Sequence, residues 1–138
     1  MEVSVLVPVF DEEENLRELA DELIDVLRGM GRPFEIIMVD DGSKDDTWSW
    51  MQKAKEVLGD RVAIYQQPEN KGKGAALRAG FKIAKGEIVI IQDADLEYNP
   101  KDYPVLLEPI LDKRADVVYG SRFLGGPHRV LFFWHYLG

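Results

Sequence analysis

A three-layer α/β/α fold around a mainly parallel sheet is predicted by three features of this 138-residue chain. Short runs rich in Val and Ile alternate with stretches whose apolar residues recur at helical spacing, the rhythm of β-α-β units. The runs are apolar at successive positions, as strands covered by helices on both faces require. No internal repeat or low-complexity linker breaks the order, so one core and one domain, residues 1–138, are expected at this length.

The elements follow in turn. Val3 to Val9 is the first strand run, and Leu16, Leu19, Ala20, Leu23 and Leu27 form the first helical stripe. Phe34 to Val39 leads into a stripe of Trp50, Ala54, Val57 and Leu58. Val62 to Tyr65 precedes Ala76, Ala79, Gly80, Ile83 and Ala84. Ile88 to Ile91 precedes Tyr103, Leu106, Leu107, Ile110 and Leu111, and Val117 to Tyr119 is the fifth run. Pro104 suits a first helical turn, whereas Pro109 should kink or shorten that last helix. All these apolar positions read as scaffold, because amphipathic periodicity needs no ligand to explain it.

A net charge of -8 argues against a phosphate backbone as the main partner, so no nucleic acid is expected. Without cysteine there is neither a disulfide framework nor a thiolate metal site. The opening MEVSVLVPVF lacks the basic start and small-residue cleavage site of a signal peptide, and reads as a strand. No run approaches the ~20 apolar residues of a membrane-spanning helix. An intracellular chain that does not itself span a bilayer is expected.

In open parallel α/β sheets, ligands bind beyond the carboxyl ends of the strands. Those positions are acidic and glycine-rich here: Phe10-Asp11-Glu12-Glu13-Glu14 after the first run, Asp40-Asp41-Gly42-Ser43 after the second, and Gln92-Asp93-Ala94-Asp95-Leu96-Glu97 after the fourth. Asp93, Asp95 and Glu97 alternate along an extended segment, which directs their side chains to one side. Hard oxygen ligands without His or Cys favour Mg2+ or Mn2+, with substrate phosphates and waters completing the shell. The bland alternative is that Asp93 caps a turn and Asp95 is solvated.

Asp40 and Asp41 can accept hydrogen bonds from a nucleotide, or can belong to a simple turn in which Ser43 or Asp45 caps the next helix. Asn70-Lys71-Gly72-Lys73-Gly74 opens a helix, an arrangement that leaves N–H groups and positive dipole facing outward for an anion. It lacks the spacing of a P-loop or a dinucleotide fingerprint, and solvated lysines explain it equally well. Gly120-Ser121-Arg122 sets a guanidinium at the same rim, with Arg129 further on, and arginine can grip phosphate through two parallel bonds.

In this order and spacing, VSVLVPVFDEEENL, VDDGSKDDT, NKGKGAALRAGFKIAKGEIVIIQDADLEYNP and ADVVYGSRFLGG resemble family-two glycosyltransferases of the GT-A fold over nearly the whole chain. QDADLEY with YGSRF is most similar to dolichol-phosphate mannose synthases and related polyprenyl-phosphate glycosyltransferases. The resemblance implies a Rossmann-like nucleotide-sugar-binding fold with Pro8, Phe10 and Glu12 bordering the nucleotide, and with Asp40 and Lys73 at the donor. It implies Asp95 as the main metal ligand, assisted by Asp93 and Glu97, for a Mg2+ or Mn2+ ion. Asp93 would also position the sugar or diphosphate, and Ser121, Arg122 and Arg129 would hold the acceptor phosphate. Asp93, Asp95 and Arg122 are thus the implied catalytic residues. Asp11 departs from the Asn common in the opening motif.

The implied reaction is an inverting transfer from a nucleoside-diphosphate sugar, GDP-mannose or a UDP-sugar, to a polyprenyl phosphate. A phosphate monoester, with a second pKa near ~6, is already ionised at neutral pH and needs no strong base. A sugar hydroxyl would need one. Two other functions stay open: transfer to a saccharide hydroxyl, and a nucleotide-sugar-binding module without turnover. Relatives continue beyond the GSRF region, many into membrane helices, so the chain looks truncated and the whole protein is expected at the cytoplasmic face of a membrane. Val130 to Leu137, rich in aromatics, reads either as an element at the bilayer interface or as core.

Overall fold

The computed structural model describes residues 2–94, 99–120 and 131–135. Strands β1 (Val3–Val9), β2 (Phe34–Asp40), β3 (Val62–Gln66) and β4 (Ile88–Ile91) are parallel neighbours. Beyond β4, strands β5 (Val117–Gly120) and β6 (Leu131–His135) complete a six-stranded sheet of order β3-β2-β1-β4-β6-β5. β6 runs antiparallel to both its neighbours. The helices are α1 (Glu13–Gly29), α2 (Thr47–Leu58), α3 (Lys73–Ile83) and α4 (Tyr103–Leu111).

The strand runs are apolar throughout because alternate side chains enter two different cores. Val3, Val5, Val7 and Val9 of β1 join Ile36, Met38, Ile88 and Ile90 in a core with residues of α1, α2 and α4. Leu6, Ile37, Val39 and Val89 face the other way, onto Ala76 of α3. The three layers expected from sequence follow directly. α3 sits close to the sheet: a Cβ added at Gly80 would lie 2.0 Å from Leu6 Cδ1. Gly80 is where that helix has room for a neighbouring leucine.

All five expected residues of the α1 stripe are buried. In α2 the buried face is Thr47, Met51 and Ala54, with Leu58 half-buried on the same line. Val57, assigned to that stripe from sequence, is 83% exposed because it lies about a quarter turn off the line. Pro109 falls inside α4, which ends two residues later at Leu111. The expected shortening is therefore accommodated by a short helix, whose turn beyond Pro109 closes with Arg114 N–H donating to the Pro109 carbonyl at 2.8 Å.

β6 corrects the expected strand count. Its backbone pairs with β4 on one edge and β5 on the other, so Leu131–His135 belongs to the sheet layer. Val130, Tyr136 and Leu137, the rest of the run read as interfacial or core, lie outside the described residues. Among the described residues no helix is long and apolar enough to cross a membrane.

The amino end of the sheet is pinned by a buried polar chain. Ser4 Oγ donates to Glu35 Oε1 at 2.7 Å and accepts from Gly86 N–H at 2.7 Å, while Lys85 N–H donates to Glu35 Oε1 at 2.7 Å. These bonds fix where β4 enters beside β1, leaving the opposite, carboxyl rim for ligands.

Candidate functional site

At the carboxyl rim an open cleft of about 490 Å³ is walled on one side by Pro8, Val9, Phe10 and Glu12, where the chain leaves β1. Asp41, Asn70, Gly72 and Lys73 form the second wall, with Ala76 of α3 behind them. Asp93 and Ala94, just past β4, close the third side. Phe10, which lines the cleft, is 41% exposed, an unusual state for a phenyl ring.

The exit from β1 is held by the exit from β2. Asp11 has φ 49°, a conformation that Asp and Asn tolerate better than other side chains. Its N–H donates to Ser43 Oγ at 2.9 Å, and its carboxylate accepts Lys44 N–H at 2.8 Å. An Asn carbonyl oxygen could accept the same bond, which explains why either residue serves at this point of the motif. Glu12 N–H donates to Thr47 Oγ1 at 3.1 Å, extending the stitch to the start of α2.

Of the two residues offered as helix cap from sequence, Asp45 approaches that task. It sits just before the formal cap, Asp46, and accepts Thr47 N–H at 2.9 Å as well as the Thr47 hydroxyl. Burial pushes the Asp45 carboxyl up, but the Thr47 bonds and further backbone N–H groups outweigh it and hold the group below its usual value.

Asp40 and Asp41 divide the work differently from the expectation. Asp40, assigned to the donor, is fully buried and does not line the cleft. Its carboxylate accepts Ser43 N–H at 3.1 Å, the Ser43 hydroxyl and Gln66 Nε2 at 3.1 Å, so it fastens the turn from within. Asp41 lines the cleft instead. It accepts Gln67 Nε2 at 2.7 Å, Lys71 N–H at 2.8 Å and Gly72 N–H at 2.9 Å. Two N–H groups of the NKGKG loop, those of Lys71 and Gly72, offered from sequence to an external anion, are thus taken by an internal carboxylate. The N–H groups in the first turn of α3 itself have no intrahelical partner.

Gly42, between Asp41 and Ser43, has φ 76° and lets this turn touch the next loop. A Cβ there would lie 2.7 Å from the Asn70 nitrogen and 2.9 Å from the Glu69 carbonyl carbon.

Across the cleft, Lys73 Nζ stands 2.5 Å from Asp93 Oδ1, with side chains 56% and 22% exposed. The backbone leading to Asp93 is fixed from below. Gln92 is buried, its N–H donates to the Leu6 carbonyl at 2.9 Å, and its side-chain amide donates to the Asp93 carbonyl at 3.1 Å. Its amide oxygen accepts the hydroxyl of Tyr103, at the start of α4. Tyr103 is fully buried, and burial, with Glu22 adding like charge, pushes its hydroxyl well above 10.0.

Replacing Tyr103 with Phe removes this donor and leaves the buried Gln92 oxygen without it, at an expected cost of about 1–3 kcal/mol in thermal or urea unfolding. The neutral phenol is favoured only in the folded state, so the parent should lose stability as pH rises above 10.0, the ordinary tyrosine value. The Tyr103→Phe difference should shrink over that range; a pH-independent difference would show that the hydroxyl is not held neutral by the fold.

Pro8, Phe10, Glu12, Lys73 and Asp93 therefore converge on one cleft, as the sequence reading requires of a donor site. Asp95, Glu97, Ser121, Arg122 and Arg129 lie outside the described residues. Asp41 was offered to a nucleotide only as one of a pair with Asp40, and Asn70 and Gly72 only as part of the NKGKG loop. Their neighbourhood was visible as a motif, but which of two adjacent aspartates faces outward depends on the turn at Gly42.

Asp93 fits a hard divalent cation: its oxygens face the cleft and already have a positive group in contact, the Lys73 ammonium standing where such an ion would compete. Among the described residues no three acidic or imidazole groups converge on a metal position, so a complete shell must draw on further ligands.

The description "Glycosyl transferase family 2" matches residues 4–137. This chain belongs to that family. Among family 2 relatives, it is 38% identical over 127 residues to a dolichol-phosphate mannosyltransferase from Pyrococcus furiosus, covering 91% of this chain and 34% of the relative. It is 40% identical over 116 residues to an undecaprenyl-phosphate 4-deoxy-4-formamido-L-arabinose transferase from Edwardsiella ictaluri, covering 84% and 35%. The chain thus spans about a third of the length of these curated relatives.

Solved structures agree on the GT-A fold. The mannosyltransferase PcManGT from Pyrobaculum calidifontis, in complex with GDP-Man and Mn2+, matches with a TM-score of 0.60 and 31% identity over 72% of this chain and 29% of its own. S. aureus TarS 1-349 in complex with UDP matches with a TM-score of 0.65 and 29% identity over 85% of this chain and 34% of its own.

Proposed function

We propose that the protein carrying this family 2 domain transfers a sugar from a nucleoside-diphosphate sugar, GDP-mannose or a UDP-sugar, to a polyprenyl or dolichyl phosphate. The observation that carries the donor half is the facing of Asp93 and Lys73 across a cleft at the carboxyl rim of the sheet. A carboxylate for a cation and an ammonium for an anion, 2.5 Å apart, are the charges that a metal–diphosphate pair would satisfy. The acceptor half is supported by the names of the relatives, two different sugars moved by transferases named for polyprenyl-type phosphates.

In this reading Phe10 and Pro8 border the base and ribose, with Glu12 beside them, and the exposed phenyl ring offers an apolar surface to the nucleotide. Lys73 and the first-turn N–H groups of α3 hold the diphosphate. Asp40 supports this wall from behind through Ser43 rather than touching the donor. Bound by Asp93 with Asp95 and Glu97, a Mg2+ or Mn2+ ion would neutralise charge on the departing diphosphate. Ser121, Arg122 and Arg129 orient the acceptor phosphate for in-line attack on the anomeric carbon with inversion. The acceptor is ionised at neutral pH, so no protein base is required. The work is done at the cytoplasmic face of a membrane, where such lipids present their phosphates.

The test is transfer of labelled sugar to a short polyprenyl phosphate by the whole protein, with Mn2+ and a panel of GDP- and UDP-sugars. A labelled lipid product is expected with at least one donor. Absence of product with every donor rejects the proposal, and labelling of free oligosaccharides in its place assigns a hydroxyl acceptor.

A further inference from the structure

The cleft contains a charge arrangement that the stability of the fold does not explain. Lys73 is the first residue of α3, where the positive end of the helix dipole disfavours a lysine, and the first turn carries no acidic residue to offset it. Its ammonium reaches across to Asp93, which follows β4, and the two join separate walls of the cleft. The other ion pair among the described residues, Arg114 with Asp112, links near neighbours on an exposed turn. Lys73 and the helix end thus add two positive features on the side of the cleft facing Asp93, whose lining also carries the carboxylates of Glu12 and Asp41.

Asp93 is 22% exposed and keeps a counter-charge at 2.5 Å, whereas Lys73 is 56% exposed on a flexible stem and can leave without unfolding anything. An ammonium and a dication cannot both sit against the same carboxylate oxygen at low cost, since their mutual repulsion at such separation is several times thermal energy even near a protein surface. A diphosphate beside the α3 terminus offers the ammonium a stronger partner than one carboxylate does.

Resting on the donor-site reading above, we propose that Lys73 is a placeholder cation. It occupies Asp93 until a nucleoside diphosphate draws it away, so that the divalent ion and the nucleotide enter together. Metal alone binds weakly because it must displace the ammonium. Nucleotide strengthens metal binding both by adding phosphate ligands and by removing this competitor, and the coupling is reciprocal.

The experiment is titration calorimetry of Mn2+ alone, and of UDP and GDP in the presence of Mn2+, on the wild type, Lys73→Met, Lys73→Arg and Lys71→Met. Lys71 is an exposed neighbour whose backbone, not its ammonium, is bonded to Asp41, so it controls for diffuse charge. In Lys73→Met, Mn2+ alone should bind about fivefold tighter, the scale of a partly exposed ion pair. The nucleotide should bind about tenfold weaker, the scale of one lost charge-assisted bond. Lys73→Arg should keep the weak Mn2+ binding of the wild type, and Lys71→Met should change it by less than about twofold.

Effects of opposite sign on metal and nucleotide are the signature that a merely structural lysine would not give. If Mn2+ affinity in Lys73→Met is unchanged or weaker, or if Lys71→Met or Lys73→Arg tightens it equally, the placeholder is overturned while the donor site stands. If the wild type binds neither UDP nor GDP with Mn2+, the donor site itself falls, and the placeholder with it.

Discussion

Gly42→Ala is expected to destabilise the domain by about 3 kcal/mol or more, roughly 10 °C in melting temperature, and to abolish nucleotide binding. Two costs coincide at this residue. Its φ of 76° disfavours any side chain, and the added Cβ would press on the backbone of Glu69 and Asn70 at 2.9 and 2.7 Å, which cannot rotate away as a side-chain tip could. To make room, the loop from Glu69 to Gly72 must move, pulling Lys71 and Gly72 N–H off Asp41 and shifting Lys73 with them. Gly31→Ala is the control, with φ 66° but nothing within 4 Å of the new atom, and should cost about 1 kcal/mol. Equal melting temperatures for the two variants would show that the close approach at Gly42 carries no energy.

Asp93→Asn should have the opposite profile. The ion pair it removes is partly exposed, so the change in unfolding free energy should stay within about 1 kcal/mol. Sugar transfer should fall by about 10²–10³-fold, because an amide neither attracts a cation nor opposes the charge that gathers on the diphosphate. The comparison of melting curves with the labelled-sugar assay separates the two quantities. Transfer within tenfold of the wild type would place the ion elsewhere.

The strands were legible because burial on both faces leaves continuous Val and Ile runs, a pattern no surface element produces. α1 was legible to the residue because its stripe is long and unambiguous. In α2 only Val57 was misplaced: it is as apolar as Met51, and the position of Thr47, a polar residue that is fully buried, shows that the true line runs through Met51. β6 escaped because Leu131–His135 is aromatic and apolar in a way that suits an interface, a core or a strand, and antiparallel insertion between two parallel strands leaves no local mark.

At the site, the acidic and glycine-bearing motifs showed where to look, since all of them follow strand ends. They did not show orientation. Asp40 and Asp41 are chemically identical, and the choice between them is made by a turn whose geometry depends on contact with a loop almost thirty residues later. The Lys73–Asp93 pair was equally hidden, for each residue was noted separately and only the packing of α3 against β1 brings their walls together.

The insertion of β6 has a consequence for how the molecule is made. Its residues come later in the chain than both strands it separates, so β4 emerges during synthesis with one side of its backbone unbonded, and β5 emerges before β6, its strand partner among the described residues. Until His135 has appeared, a nascent sheet ends in an apolar strand able to pair with any extended segment nearby. Slow translation or early release just before this point should favour clumping of half-made chains.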